Sequence, residues 1–98
     1  MSPDVACEAI RSAKILEVRY DAFVRALEVH AVGYSKQNNL VMRAWQLSGG
    51  SAGGEQVGWK LLRLDRAEAP SVTDKNSSAP RQGFNRGDPA MVRIICEV

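Results

Sequence analysis

In the segment "ILEVRYDAFVRALEVHAV", residues 15–32, apolar and polar side chains alternate along both halves, and this pattern is the strongest indication of the fold. The apolar side chains that share a face are Leu16, Val18 and Tyr20 in the first half and Leu27, Val29 and Ala31 in the second. Glu28 and His30 fall on the face opposite Leu27. Alternation of period two is typical of half-buried strands, and the short link "DAFV" between the halves predicts a β-hairpin.

The remaining pattern extends this hairpin into a mainly β domain. "SPDVACEAIRSAK" favours a helix, with Ser2 or Asp4 as the N-cap and Pro3 at the first helical position. The predicted elements are one N-terminal helix over residues 4–13 and strands over 15–20, 25–32, 40–47, 57–65, 68–73 and 91–98. One helix followed by five or six short antiparallel strands, in a single domain over residues 1–98, predicts a small β-barrel or curled sheet.

Composition excludes several classes of protein. A chain of 98 residues that is 45% hydrophobic and 24% charged matches a single globular domain. Its net charge of +2 and its pI near 8.7 fall short of the pI above about 9 that marks a committed nucleic-acid binder. No stretch approaches the roughly 20 apolar residues of a membrane span, and the start does not resemble a signal peptide. We therefore expect a cytoplasmic protein with no membrane partner.

The two cysteines, Cys7 and Cys96, lie near opposite ends of the chain. A secreted domain held by disulfides normally carries four or more cysteines, so we expect both to be reduced. A bridge between the two ends stays open as an alternative if the segments pack together.

The sequence carries no catalytic or metal-binding signature. A His₃ or Cys₂His₂ metal site cannot be assembled from the single histidine, His30, and two distant cysteines, and no G-x-S-x-G motif is present. We expect His30 to be a half-buried strand residue that makes one hydrogen bond. The carboxylates on or beside strands, for which cross-strand ion pairs are expected, are Glu17, Glu28, Asp65 and Glu68. We predict that the protein is not an enzyme and has no metal or cofactor.

Two segments lack a helix or strand pattern. "SGGSAGGE", residues 48–55, is not a P-loop, because no Lys-Ser/Thr pair follows its last glycine, and is expected to be a mobile hairpin tip. "KNSSAPRQGFNRGDPA", residues 75–90, is expected to be a solvated surface loop. An enzyme hypothesis would rest on the charged residues of this loop, which are Lys75, Arg81, Arg86 and Asp88.

Residues 9–74 resemble a WYL domain, and in particular the short stand-alone WYL-like proteins of bacteria. The similarity lies in Arg25-x-Leu27-Glu28-Val29-His30, in "LVMRAWQ" and in "GWKLLRLDR", with "APRQGFNRGD" similar to the tail of the short forms. The family's Trp-Tyr-Leu tripeptide is absent, and Leu40–Met42 stands in its place. The resemblance implies an Sm-like or SH3-like β-barrel without the usual helix-turn-helix. It also implies a regulatory module that senses a nucleotide or single-stranded nucleic acid through basic and aromatic side chains.

Strand periodicity divides the candidate ligand-binding residues between two faces. Trp59 and Arg63 share one face of "GWKLLRLDR", whereas Lys60 and Arg66 point to the other. Arg43 and Trp45 share a face of the preceding strand, so Trp45 and Trp59 could form a platform for a stacked base. The candidate ligand-binding residues are Arg25, Arg43, Trp45, Trp59, Arg63 and Arg66.

Two alternatives to this binding site stay open. Both tryptophans could be core residues, because large aromatic side chains are mostly buried. The protein could instead act as a homo-oligomer, because the closing run "MVRIICEV" is apolar enough to pair with a neighbouring chain.

Overall fold

Among the residues that the structure describes, one helix and six antiparallel strands make up the domain. The computed structural model describes residues 1–51, 53–54 and 56–98. In chain order the elements are α1 (Pro3–Ser12), β1 (Lys14–Tyr20), β2 (Phe23–Tyr34), β3 (Leu40–Ser48), β4 (Gly58–Arg63), a 3₁₀ turn (Leu64–Arg66), β5 (Glu68–Asn76) and β6 (Arg93–Glu97). The predicted class, mainly β with one N-terminal helix, is confirmed.

All six strands belong to one sheet, organised around β2. The hydrogen-bonded path runs β4-β3-β2-β1-β5, and β6 also pairs with β2. β2 is long enough to hold two partners on one edge, with β1 beside residues 23–27 and β6 beside residues 31–34. The sheet does not close on itself among the described residues, so the predicted barrel is not confirmed.

Helix α1 covers one face of the sheet. Its start is capped as predicted, with the Ser2 hydroxyl accepting a hydrogen bond from the Asp4 N–H and Pro3 at the first position. It ends at Ala13, whose left-handed backbone directs its N–H to the last carbonyl groups of the helix. The main core lies beneath it; its fully buried side chains include Ala6, Leu16, Leu27, Val32, Met42 and Ala44.

The turn between β1 and β2 is shorter than the sequence predicts. Asp21 and Ala22 alone form it, with φ angles of 49° and 65°. Positive φ at both central residues is the geometry of a type I′ turn, whose twist matches that of a hairpin. Phe23 and Val24 therefore belong to β2 and not to the turn, which is why the predicted link contains apolar residues.

Two β-bulges overturn parts of the predicted alternation. The register of β2 against β3 shifts at His30, so Val29 packs in the main core while Ala31 packs in a second cluster on the opposite face. The register of β6 against β2 shifts at Ile95, so Ile94 and Cys96 also separate between the two clusters. An extra residue in one strand reverses the faces of the residues beyond it, which alternation alone cannot reveal.

The second face of the sheet is covered by residues 77–92, which we name the covering segment. Met91 is buried against Ala31 and Val41, and Phe84 packs on the same cluster. Asp88 is also buried. The expectation of a solvated surface loop is therefore only partly met: Gln82, Gly83 and Arg86 are exposed, but Asp88 is buried and Phe84 packs against the sheet.

The glycine-rich segment joins β3 to β4 as a hairpin connection. The buried Gln46 side chain fastens both ends of this connection, with its Nε2 donating to the carbonyl oxygens of Gly50 and Gln56. The predicted mobile tip, and the rejected P-loop, include Ala52 and Glu55, which lie outside the described residues.

Cys7 and Cys96 form a disulfide between α1 and β6. The expectation that both are reduced is wrong, and the alternative bridge between the ends of the chain is what the structure contains. The two cysteines are 89 residues apart in the sequence, and the sequence alone does not predict that β6 pairs with β2 and lies next to the helix. No helix within the described residues is long and apolar enough to cross a membrane.

Candidate functional site

The two tryptophans lie opposite each other on one face of the sheet. Antiparallel pairing of β3 and β4 sets Trp45 against Trp59 and Arg43 against Leu61. The indole ring centroids are 5.3 Å apart in an edge-to-face arrangement. Strand periodicity therefore predicted correctly that Arg43, Trp45 and Trp59 share a face.

This face is neither an open platform nor a closed core. Phe84 of the covering segment lies 6.3 Å from Trp59 between ring centroids, with the planes tilted by 33°. The guanidinium group of Arg81 lies 5.4 Å from the centre of the Trp45 ring. Both tryptophans are half-buried, so each keeps part of its ring accessible beside the covering segment.

An aromatic cleft of about 280 Å³ opens beside Trp59. It is bounded by the sheet on one side and by the covering segment on the other. Its lining residues are Arg43, Trp59, Gly83, Phe84, Asn85, Asp88 and Pro89. The cleft thus combines two aromatic rings with an amide and an ion pair, the mixture of apolar wall and few polar groups that small-molecule sites have.

The ion pair in the aromatic cleft joins Arg43 to Asp88. Arg43 donates from Nε at 2.6 Å and from Nη2 at 3.2 Å, one bond to each carboxylate oxygen. The hydrogen bond from Arg43 holds the pKa of Asp88 below its usual range, although burial opposes it. Two of the donors of Arg43 are therefore already engaged, and the pair is close to neutral.

A buried polar network fastens the covering segment to β2. Glu28 accepts hydrogen bonds from the Arg81 side chain and from the Ser78 N–H. His30 accepts a hydrogen bond at Nε2 from the Arg81 N–H, 3.0 Å away, and its Nδ1 lies 2.9 Å from the Glu28 carbonyl oxygen. A ring with an acceptor at Nε2 and a carbonyl facing Nδ1 must be the neutral Nδ1–H tautomer.

The pKa shifts of this network follow from burial and from the two arginine contacts. Burial lowers the pKa of His30, and the nearby Glu28 carbonyl and carboxylate only partly oppose it. Burial alone would raise the pKa of Glu28, but the hydrogen bonds from Arg81 and Ser78 outweigh it and leave the pKa below its usual value. The expectation of a half-buried His30 with one hydrogen bond is therefore wrong: the ring is fully buried and has two partners.

A second opening, which we name the Arg81 cleft, adjoins the first. It measures about 440 Å³ and is lined by Trp45, Ser78, Arg81, Gln82 and Gly83. Gly83 lines both clefts, so they meet along the covering segment.

The other predicted ligand-binding residues lie elsewhere. Arg63 ends β4 and pairs with Asp65 two residues later. Arg66 lies in the 3₁₀ turn, pairs with Asp21 and stacks over Tyr20. Arg25 is only 2% exposed and contacts Tyr20 and Gln46, with its Nε lacking a partner among the described residues. The structure brings Arg43, Trp45 and Trp59 together. As predicted, Arg63 shares the face of Trp59, but it lies at the end of β4 and lines neither cleft. Arg25 and Arg66 lie apart from this face.

Sequence reasoning did not assign the covering segment to the site. Arg81, Phe84 and Asp88 lie in a stretch without periodicity, and their partners on the sheet are about 25 to 55 positions away in the chain. The available signal was compositional, because a phenylalanine among arginines and glycines is unusual for a purely solvated loop. The predicted cross-strand ion pairs of Glu28 and Asp65 are also not found. Glu28 pairs with Arg81 of the covering segment, and Asp65 pairs with Arg63, two residues earlier in the chain.

Comparisons with protein-family models, with curated proteins and with solved structures gave no match. Within the described residues, no group of three or more His, Cys, Asp or Glu side chains is placed to hold a metal ion. The chemistry of the site must therefore be inferred from its own side chains.

Proposed function

We propose that this protein is a non-catalytic binding module that holds a small planar aromatic molecule, with nucleosides and nucleotides as the leading candidates, in the aromatic cleft. The observation that carries the proposal is the pairing of Trp59 on the sheet with Phe84 on the covering segment, at the wall of a cleft of about 280 Å³. A planar ring that enters such a cleft gains stacking on aromatic faces.

The polar side chains of the cleft suit the edge of a heterocycle. The Arg43–Asp88 pair supplies charged donors and acceptors, and the amide of Asn85 supplies one of each. Nucleobases carry donors and acceptors around a flat ring, so one molecule can stack and hydrogen-bond at the same time.

The covered face favours a small ligand over a continuous nucleic-acid strand. A single strand needs an open row of stacking side chains with a positive groove beside it. Here the covering segment crosses the sheet face, and Arg43 is paired with Asp88. Binding in the aromatic cleft should therefore depend only weakly on salt, unlike binding that neutralises many phosphates.

The test is isothermal titration of the four common nucleosides and of a labelled oligonucleotide at two salt concentrations. We expect micromolar-to-millimolar binding of at least one nucleoside that Trp59→Leu abolishes. The matched control is Phe23→Leu, which removes an aromatic ring that is 40% exposed at the far end of β2. No binding of any nucleoside, or equal loss in both variants, would contradict the proposal.

We also propose that the chain folds as a WYL-like module with an Sm-like sheet. What supports this is the order of one helix and six antiparallel strands, together with the Leu62–Arg66 element quoted above. An experimental structure with closed β4 to β5 pairing would support the barrel form, and an open sheet in solution and in crystals would count against it.

Homo-oligomerisation is a second candidate function, favoured by exposed apolar side chains on β4 and next to it. Leu61 is 42% exposed and Val57 is 55% exposed, and β4 is the last strand of the hydrogen-bonded path. A sheet edge of this kind can pair with another chain. Light scattering across a hundredfold concentration range tests it: a dimer that Leu61→Lys dissociates would support assembly, and a monomer throughout would refute it.

A further inference from the structure

We propose that the Arg81 cleft is an anion subsite, so that the ligand of this protein is a planar ring that carries a carboxylate or a phosphate. This inference rests on the proposed function, because it places the anionic group beside the ring bound in the aromatic cleft. It narrows the ligand from any flat heterocycle to one with an acidic substituent.

The donors of Arg81 carry the inference. Its Nε bonds to Glu28, and its guanidinium group lies over the Trp45 ring. The four N–H groups of its terminal nitrogens make no hydrogen bond to any residue that the structure describes, and the side chain is 33% exposed. A guanidinium group fixed by one bond and by stacking presents its other edge to an incoming carboxylate or phosphate with little loss of entropy.

The carboxylate of Glu28 does not compete for these donors. Both of its oxygens are occupied, one by Arg81 Nε and the other by the Ser78 N–H, and the side chain is only 1% exposed. Glu28 therefore holds Arg81 in place from the interior, and Arg81 lines the cleft together with Ser78 and Gln82.

The comparison with Arg43 assigns different roles to the two arginines of this face. Arg43 is held by both oxygens of Asp88, whereas the side chain of Arg81 uses only its Nε. Anion recognition on this face therefore falls to Arg81, and Arg43 shapes the wall around the ring.

Gly83 makes the two clefts one site. It lines both of them, and a Cβ built on it would lie 3.4 Å from the indole nitrogen of Trp59. Its φ of +96° also disfavours any side chain. Gly83 therefore places no side chain between the ring position beside Trp59 and Arg81.

The experiment compares matched neutral and anionic probes. Adenosine is titrated against adenosine 5′-monophosphate, and indole-3-propanol against indole-3-propionate, in the wild type and in Gln82→Glu. The new carboxylate lies at the mouth of the Arg81 cleft and leaves the Glu28–Arg81 bond untouched. The matched control is Gln37→Glu, the same change of charge at an exposed turn between β2 and β3.

We expect the anionic member of at least one pair to bind about tenfold more tightly to the wild type and to the control. Gln82→Glu should remove this preference and leave the neutral member unchanged. Inorganic phosphate alone should shift the indole N–H resonance of Trp45 saturably in the wild type and in the control, but not in Gln82→Glu. The phosphate pair and the carboxylate pair show which anion the subsite takes.

Each failure has its own signature. Equal affinity for neutral and anionic members, or a preference that survives Gln82→Glu, would overturn the anion subsite while the aromatic cleft stands. A saturable phosphate shift at Trp45 without binding of any ring compound would support the subsite and refute the proposed function. No shift and no binding would overturn both.

Discussion

His30 packs against the aromatic rings of the site, and its protonation state determines which hydrogen bonds it makes there. It occupies the bulge of β2, and its ring lies 4.7 Å from Trp59 and 5.1 Å from Phe84 between centroids. Both ring nitrogens face polar groups, so only the neutral Nδ1–H form fits. The neutral form therefore holds the covering segment against the sheet.

This arrangement predicts loss of stability in mild acid. The pKa of His30 lies below 6.5 in the folded state, so the unfolded chain binds a proton first as pH falls. The contribution of neutral His30 to the free energy of unfolding should be fully present above pH 6.5. It should be lost progressively as the pH falls from there to the lowered pKa of His30. The lowered pKa of Glu28 adds a second decrease below pH 4.5, in the same direction. Urea unfolding between pH 7.5 and pH 3.5 measures both.

His30→Gln separates the two contributions. A glutamine oxygen can accept the bond from the Arg81 N–H without titrating, so the decrease that begins at pH 6.5 should disappear and the one below pH 4.5 should remain. The charged groups that face His30 are Glu28 on its own strand and Arg81 on the covering segment. An unchanged slope in the variant would show that another group is responsible.

At the scale of single elements, the β1–β2 turn is under backbone strain that a substitution can relieve. Ala22 is exposed and has a φ of 65°, where a Cβ is unfavourable. Ala22→Gly should raise the free energy of unfolding by about 1 kcal/mol. Thermal and urea unfolding measure the change.

Ala26→Gly is the control for this turn variant. Ala26 is paired within β2, where glycine should lower the free energy of unfolding by roughly 0.5–1 kcal/mol. Destabilisation by both substitutions would contradict the assignment of a type I′ turn.

Element positions were largely predictable from sequence, whereas the faces beyond the bulges were not. The sequence pattern predicted every strand to within a few residues, most clearly where alternation marks one face against the core, as in β1. The bulges at His30 and Ile95 depend on contacts with β3 and β2 and leave no mark in the alternation itself. No bulge interrupts the pairing of β3 with β4, so the shared face of Trp45 and Trp59 was predictable.

At the scale of the whole molecule, the disulfide ties the ends of the chain together. A closed loop of this length should contribute about 4 kcal/mol to the free energy of unfolding, because it restricts the unfolded chain. The variant with Cys7→Ala and Cys96→Ala should therefore unfold at much lower urea concentration. Reductant should bring the wild type close to the variant and leave the variant unchanged; two reactive thiols in the untreated protein would refute the bridge.

The disulfide is also relevant to the cellular compartment of the protein. Disulfides persist in oxidising compartments and are rare in the cytosol. The cytoplasmic location that we predicted from the sequence stays a prediction, and the Cys7–Cys96 bond counts against it.

Only the residues of the candidate site that lie on β3 and β4 were predictable from the sequence, because the others reach the site through the complete fold. Arg43, Trp45 and Trp59 follow from the pairing of adjacent strands, which is local information. Arg81 and Phe84 reach the same face only after the covering segment crosses the sheet between β5 and β6. No sequence pattern predicts that crossing, so the aromatic cleft and its ion pair could be found only from the complete fold.

Ligand binding at Trp59 can be measured by a nuclear magnetic resonance titration that follows the two indole N–H resonances, assigned with Trp45→Phe and Trp59→Phe. We expect the Trp59 resonance to shift saturably as adenosine or guanosine is added, and to do so at 50 mM and at 500 mM salt alike. A Trp59 resonance that no nucleoside moves at millimolar concentration would contradict the central claim that the cleft between Trp59 and Phe84 binds a planar ligand of this class.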